Sequence, residues 1–206
     1  SPDKMDHGLG CGDVNGDGRP DLVFRHGWLE NPGGPLGATN WTRHEEFSLG
    51  SASVPIIVTD VNGDQRADMI VGQAHSYGLD WWEQRLENGQ RTWTKHAIDP
   101  LCSQFHFLAW ADVDRDGKSE LVAGKRRHAH RDKDPGDADP AGIYYYKWTG
   151  AGFTKVVIDY GVKEVGKGCG IYFEVADANG DGWLDILAPG KDGLSLYKSL
   201  GHLNPR

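Results

Sequence analysis

Cysteine is scarce, with Cys11, Cys102 and Cys169 the only three in 206 residues and no CxxC pair among them. That excludes a disulfide framework and a cysteine-built zinc site. Cys11 and Cys169 sit in Gly-flanked segments before Asp-rich stretches, which points to small buried core residues. No apolar run approaches the ~20 residues of a membrane-spanning helix. Positive charge is also in short supply. The formal net charge of −8 argues against nucleic acid as a partner. The opening Ser1-Pro2-Asp3 has neither an initiator Met nor a signal peptide, so an upstream segment is expected to have been removed or to be missing.

What the chain has in quantity is glycine (29), proline (10) and tryptophan (8), a balance that suits a turn-rich β protein. It also has one phrase written four times. Asp13-Val-Asn15-Gly-Asp17-Gly-Arg-Pro-Asp21 is followed by Asp60-Val-Asn62-Gly-Asp64-Gln-Arg-Ala-Asp68. Asp112-Val-Asp114-Arg-Asp116-Gly-Lys-Ser-Glu120 and Asp177-Ala-Asn179-Gly-Asp181-Gly-Trp-Leu-Asp185 complete the set. Oxygen-bearing side chains fall at positions 1, 3, 5 and 9, a spacing that wraps a tight loop around a hard cation. Position 12 is Phe24, Val71, Ala123 or Ala188 rather than the glutamate of a helix-flanked calcium loop. The flanks are rich in Val, Ile and Leu and read as strands. A plain Asp/Asn/Gly turn explains any single copy equally well. Four copies in register point to Ca²⁺, up to four ions, with Mg²⁺ a possible substitute. The loops hold thirteen of the thirty acidic residues, so the acidity is a metal signature.

The first aspartates stand at 13, 60, 112 and 177, spacings of 47, 52 and 65 residues. Repeats of that length with several short strands indicate an all-β propeller with four-stranded blades. The expected blades run approximately 1–49, 50–101, 102–160 and 161–206. Their aromatic third strands contain Trp28, Trp81-Trp82, Tyr144-Tyr145-Tyr146 and Tyr197. Blade three carries a charged insert, roughly 126–141, with no apolar periodicity, a loop of the kind that tends to be functional. Blade four has no segment for a fourth strand. Four blades of a larger propeller, of about seven blades, are therefore expected, with the remaining blades or other domains of a parent protein as partners.

The fourfold phrase resembles the FG-GAP/VCBS repeat family of extracellular propellers whose blades hold Ca²⁺, which implies a secreted or periplasmic location. A narrower resemblance rests on His7-Gly-Leu-Gly-Cys-Gly-Asp13, on Gly27-Trp-Leu-Glu-Asn-Pro32, and on Ala123-Gly-Lys-Arg-Arg-His-Ala-His-Arg-Asp-Lys-Asp-Pro-Gly136 through Tyr146. These are similar to the propeller of the aldos-2-ulose dehydratase family, fungal enzymes and their bacterial relatives. In that family the propeller is one domain of an enzyme that eliminates water from oxidised sugars such as 1,5-anhydrofructose. The resemblance implies a carbon–oxygen lyase with a keto-sugar ligand. Cupin and lectin-like parts of such enzymes are absent from this sequence.

Candidates for that chemistry come from the residues themselves. His7 and His106 each stand six residues before the first Asp of a loop, so both imidazoles should face the central channel at similar height. His26 and His75 follow second strands, and His128 and His130 lie in the insert beside Lys125, Arg126 and Arg127. Elimination next to a carbonyl needs a base near neutral pKa, a cation for the enolate and an acid for the departing hydroxyl. His106, His128, His130, Lys125 and Arg126 are the catalytic candidates. His7, His75, Tyr77 and Trp81 are the candidates for substrate binding. A second metal held by some of the histidines has no motif behind it. His44, His96 and His202 read as structural, and the Trp41/His44 and Trp93/His96 repeats as blade packing. Asn40-Trp-Thr is a glycosylation sequon that matters only in a eukaryotic secretory protein. The alternative to a lyase is a non-catalytic calcium-binding propeller for glycans or proteins. The two differ in whether these histidines converge in one pocket.

Overall fold

In a computed structural model, which describes residues 7–35, 39–127, 130, 133–162 and 165–201, the chain forms fifteen strands and no α-helix among the described residues. They fall into four antiparallel sheets, each in plain chain order. Blade one holds β1 (Leu9–Gly12), β2 (Asp21–Phe24), β3 (Gly27–Glu30) and β4 (Thr42–His44). Blade two holds β5 (Ile57–Thr59), β6 (Asp68–Gly72), β7 (Leu79–Glu87) and β8 (Gln90–Ala97). Blade three holds β9 (Phe105–Ala111), β10 (Glu120–Lys125), β11 (Ala141–Trp148) and β12 (Phe153–Gly161). Blade four has three strands, β13 (Glu174–Ala176), β14 (Asp185–Gly190) and β15 (Gly193–Tyr197). This is a β-propeller arrangement, with each Asp-rich phrase in the turn between the first two strands of its blade.

The loops fold by satisfying their own backbone. In the first, Asp13 Oδ1 accepts from the N–H groups of Gly16 (2.8 Å) and Asp17 (3.0 Å), and its Oδ2 from Gly18 (2.7 Å). Asp60, Asp112 and Asp177 do the same work in their loops. Such wrapping drives positions 4 and 6 to positive φ in every copy. Glycine fills most of these places, but Gln65 (φ 68) and Arg115 (φ 58) are forced into the same geometry.

The acid at position 9 has a different role. Asp21, Asp68, Glu120 and Asp185 are fully buried. Asp21 Oδ2 accepts from the Val14 N–H at 2.9 Å while Oδ1 accepts from Asn31 at 2.8 Å, beyond the end of β3. Asp68 joins Val61 to Gln84, and Asp185 joins Ala178 to Ser199, in the same way. Asp21, Asp68 and Asp185 thus clasp the loop to the end of the blade's third strand or beyond it, and two charge-assisted hydrogen bonds offset the burial of each, whereas Glu120 accepts from Val113 alone.

Between blades the packing repeats with the loop register. Position 11 of one blade (Val23, Ile70, Val122) faces the next, where positions 10 and 12 (Met69 and Val71; Leu121 and Ala123; Ile186 and Ala188) receive it. The third strand adds Trp28, Trp81 or Tyr145, paired across from Val23, Ile70 and Val122 respectively. Three apolar clusters join blades one to two, two to three and three to four. Gly10 permits the first contact to close, since a Cβ there would lie 2.4 Å from the Ile56 carbonyl oxygen. Gly10 therefore faces blade two, and alternation turns Leu9 and Cys11 to the opposite side. Cys11, expected in the core, is exposed for that reason, whereas Cys169 is buried as expected and Cys102 is buried too.

Candidate functional site

The inner ends of three blades deliver one histidine each to a common place. His7 precedes β1, His75 lies in the turn after β6, and His106 is the second residue of β9. Their ring centroids are 4.8 Å (His7–His75), 5.0 Å (His7–His106) and 4.7 Å (His75–His106) apart. His7 and His106, which share an offset from their loops, lie side by side. The blade-three insert adds a fourth ring, His130, stacked on His75 at 4.7 Å. His128 falls outside the described residues, as does His202. A cleft of about 320 Å³ lined by His7, Arg25, Ser51 and His75 opens over the cluster.

Asp134, from the same insert, organises the outer half. Its Oδ2 lies 2.8 Å from Nδ1 of both His75 and His130, so the Nε2 atom of each is left for other partners. Those two imidazoles hold the Asp134 carboxyl below the usual carboxylate range, although burial works the other way. Arg126 Nη2 stands 4.0 Å from the same oxygen and 3.4 Å from Gln104 Oε1. Burial lowers the Arg126 pKa.

His106 is the innermost of the set and 95% hidden, and its Nε2 is buried without a hydrogen-bond partner. Burial, followed by the charges of Arg126, His75, His7 and His130, pushes its pKa down to about 3. At neutral pH it is a neutral imidazole, fit to accept a proton bond or to ligate a metal and unfit to act as an acid. One ligand nitrogen from each of His7, His75 and His106 falls within a sphere of 4.8 Å, and His75, His130 and Asp134 form a second such group. Three imidazoles with an orphaned nitrogen among them fit a divalent transition metal.

Two other candidates take different places from those expected. Lys125 is almost fully buried at the end of β10, and its Nζ donates to the Gly136 carbonyl at 2.6 Å. Ser103 Oγ donates to that carbonyl and Gln104 Nε2 to the carbonyl of Pro135, so all three anchor the turn that carries Asp134. Lys125 acts on the site through that turn rather than at the rings. Trp81 is buried between blades two and three, stacked on His96 at 4.5 Å and against Trp148 at 5.0 Å, and has no face to offer a sugar. Tyr77 is 42% exposed and donates to Asp139 at 2.6 Å.

His44 and His96 are structural. Each stacks on the Trp of the third strand and bonds a Glu two residues along, His44 to Glu30 and His96 to Glu83, both at 2.8 Å. Asp134 escaped the sequence reading. The His130-x-x-x-Asp134 spacing inside the insert was the available signal.

The loops offer oxygen donors. In the third, oxygens of Asp112, Asp114 and Glu120 lie within 4.8 Å of one another, and Glu120 Oε1 is buried without a hydrogen-bond partner. That oxygen, which faces Lys147 Nζ at 3.9 Å, fits a hard cation. Lys147 Nζ bonds Asp114 and Asp116 in this loop, and Lys198 approaches Asp181 at 3.7 Å in the fourth. In the first two loops the position-7 arginines, Arg19 and Arg66, pair with Asp17 and Asp64 instead. The position-3 residues Asn15, Asn62 and Asn179 each accept from the backbone N–H of the position-5 Asp.

Comparison with known proteins agrees with the architecture. Residues 60–123 match the model of the FG-GAP-like repeat. No curated protein matches. Among solved structures, a lectin from Agrocybe aegerita, described as recognising non-reducing terminal N-acetylglucosamine, superposes with a TM-score of 0.56 at 16% identity. The match covers 96% of this chain and 50% of the lectin, so the chain spans about half the length of that relative. The chain is a β-propeller whose stretch from the second loop into blade three carries the FG-GAP-like repeat.

Proposed function

We propose that this chain is a calcium-stabilised propeller that binds an oxidised keto-sugar at the His7/His75/His106/His130/Asp134 cluster and eliminates water from it. The carrying observation is convergence. Three blades and one insert bring four histidines into one cluster, around a buried nitrogen that has no hydrogen-bond partner. Loops for blade packing alone have no need of that.

The roles follow from geometry. Asp134 fixes Nδ1 of His75 and His130 and favours the tautomer in which Nε2 is basic. His130 Nε2 takes the proton from the carbon beside the sugar carbonyl, and the imidazolium so formed returns it to the departing hydroxyl, which leaves as water. Arg126 lends positive charge to the enolate oxygen. His7, His75 and His106 would hold a divalent transition metal, which supplies polarisation of a carbonyl when bound. Calcium at Asp13, Asn15, Asp17 and Asp21 and their counterparts serves the fold. A calcium-rich setting outside the cell suits such loops.

The second reading is sugar binding without chemistry, favoured by the lectin likeness. Incubation with 1,5-anhydrofructose separates them. Turnover gives a rising enone absorbance that is lost in His130→Ala. Sugar binding with no absorbance change supports the second reading, and neither binding nor turnover rejects both.

A further inference from the structure

The third strand sets a different charge beside the Asp-rich loops of different blades. Trp28, Trp81, Tyr145 and Leu196 stand across from position 11 of their own blades, Val23, Ile70, Val122 and Leu187. Two residues further along, on the same face, come Glu30, Glu83, Lys147 and Lys198. Position 3 of the loop is Asn15 or Asn62 in the two blades with glutamate, Asp114 in the blade with Lys147, and Asn179 in the blade with Lys198.

Loop three is where the difference is largest. Lys147 Nζ donates to Asp114 Oδ2 at 2.5 Å and to Asp116 Oδ2 at 2.6 Å. It also stands 3.9 Å from Oε1 of Glu120, whose side chain is 1% exposed and whose Oε1 has no hydrogen-bond partner. One ammonium thus gathers oxygens from positions 3, 5 and 9, three of the four positions on which a divalent ion would draw. A lysine ammonium is a compact point charge, suited to that place. The other loops are built differently. In blade two Glu83 Oε1 lies 3.5 Å from Asn62 Nδ2, a carboxylate where blade three has a cation. Arg19 and Arg66 pair with the position-5 aspartates Asp17 and Asp64, but each is held aside by an Nε bond to a backbone carbonyl, Asn31 or Gln84. Lys198 is 52% exposed and stops 3.7 Å from Asp181.

We propose that Lys147 is the built-in cation of loop three, an inference that rests on the calcium binding proposed above. Its ammonium holds the three carboxylates together and competes with Ca²⁺, so loop three takes up the ion far more weakly than loops one and two. Displacing Lys147 costs charge-assisted hydrogen bonds, and a divalent ion entering beside it meets like charge.

Calorimetric titration of the chelator-treated chain with Ca²⁺ tests this in the wild type, Lys147→Met and Lys198→Met. Lys147→Met is expected to gain one calcium site or to tighten the weakest by at least about tenfold, the effect of removing a close like charge. Adding Asp112→Asn should abolish that gain. Lys198→Met should stay within about twofold of the wild type, because its ammonium is exposed and screened. If Lys147→Met is unfolded in chelator, calcium-dependent refolding followed by circular dichroism reads the same gain, and a chain that stays unfolded overturns the proposal. Wild-type binding of Ca²⁺ with Lys147→Met unchanged, or an equal gain in Lys198→Met, overturns it too and leaves calcium binding by the loops standing. Absence of calcium binding in all three proteins rejects calcium binding and the proposal with it.

Discussion

At the scale of single residues, environment decides behaviour that residue type leaves open. The two buried thiols show this. Burial pushes Cys169 up to about 12 and Cys102 up to about 11 from an ordinary 9.0. A raised pKa in the fold means stability present below pH 9 and lost as pH climbs toward those values, because only the unfolded chain gains the thiolate. The melting temperature should therefore fall above pH 9, and less steeply in Cys169→Ala. In dilute native protein a thiol reagent should label Cys11 alone. A second prediction concerns Gln65, exposed and held at φ 68. Gln65→Gly should stabilise the protein by up to about 1 kcal/mol, the order of the left-handed penalty less the entropy glycine loses. Chemical denaturation checks it.

At the scale of elements, the unit is loop plus clasp. Asp21 satisfies two backbone N–H groups at once, one in the loop and one just past β3, so Asp21→Ala orphans both. A loss of about 2–4 kcal/mol is expected, read as a lower denaturation midpoint in the presence of chelator so that metal plays no part. The loops and their strands were legible in the sequence because their determinants are local: covalent spacing, glycine at forced φ, and apolar runs. The role of position 9 as a clasp was not legible, because its partners, such as Asn31 just past β3 and Gln84 in β7, are distant in sequence. Trp81 shows the same limit. Its pattern admits either face of β7, and only the neighbouring blade, with Trp148, decides that it is core.

At the scale of the whole molecule, the propeller brings distant residues together, and this is where the sequence was partly readable. His7 and His106 share a loop offset, but what puts their rings 5.0 Å apart is the packing of one blade on the next. Lys125 looked catalytic from its company in the insert, and its burial under Gly136 makes it an anchor. If the four loops bind calcium, removal of the ion should lower the melting temperature. Each loop filled at 100 times its Kd contributes about 2.7 kcal/mol. An unchanged transition in excess chelator would contradict calcium binding. The central claim is that the histidine cluster is the place of function, and histidine-selective nitrogen NMR during titration with 1,5-anhydrofructose tests it most directly. Shifts are expected in His7, His75, His106 and His130, with His44 and His96 unmoved. Shifts confined to His44 and His96, or none at all, would contradict it.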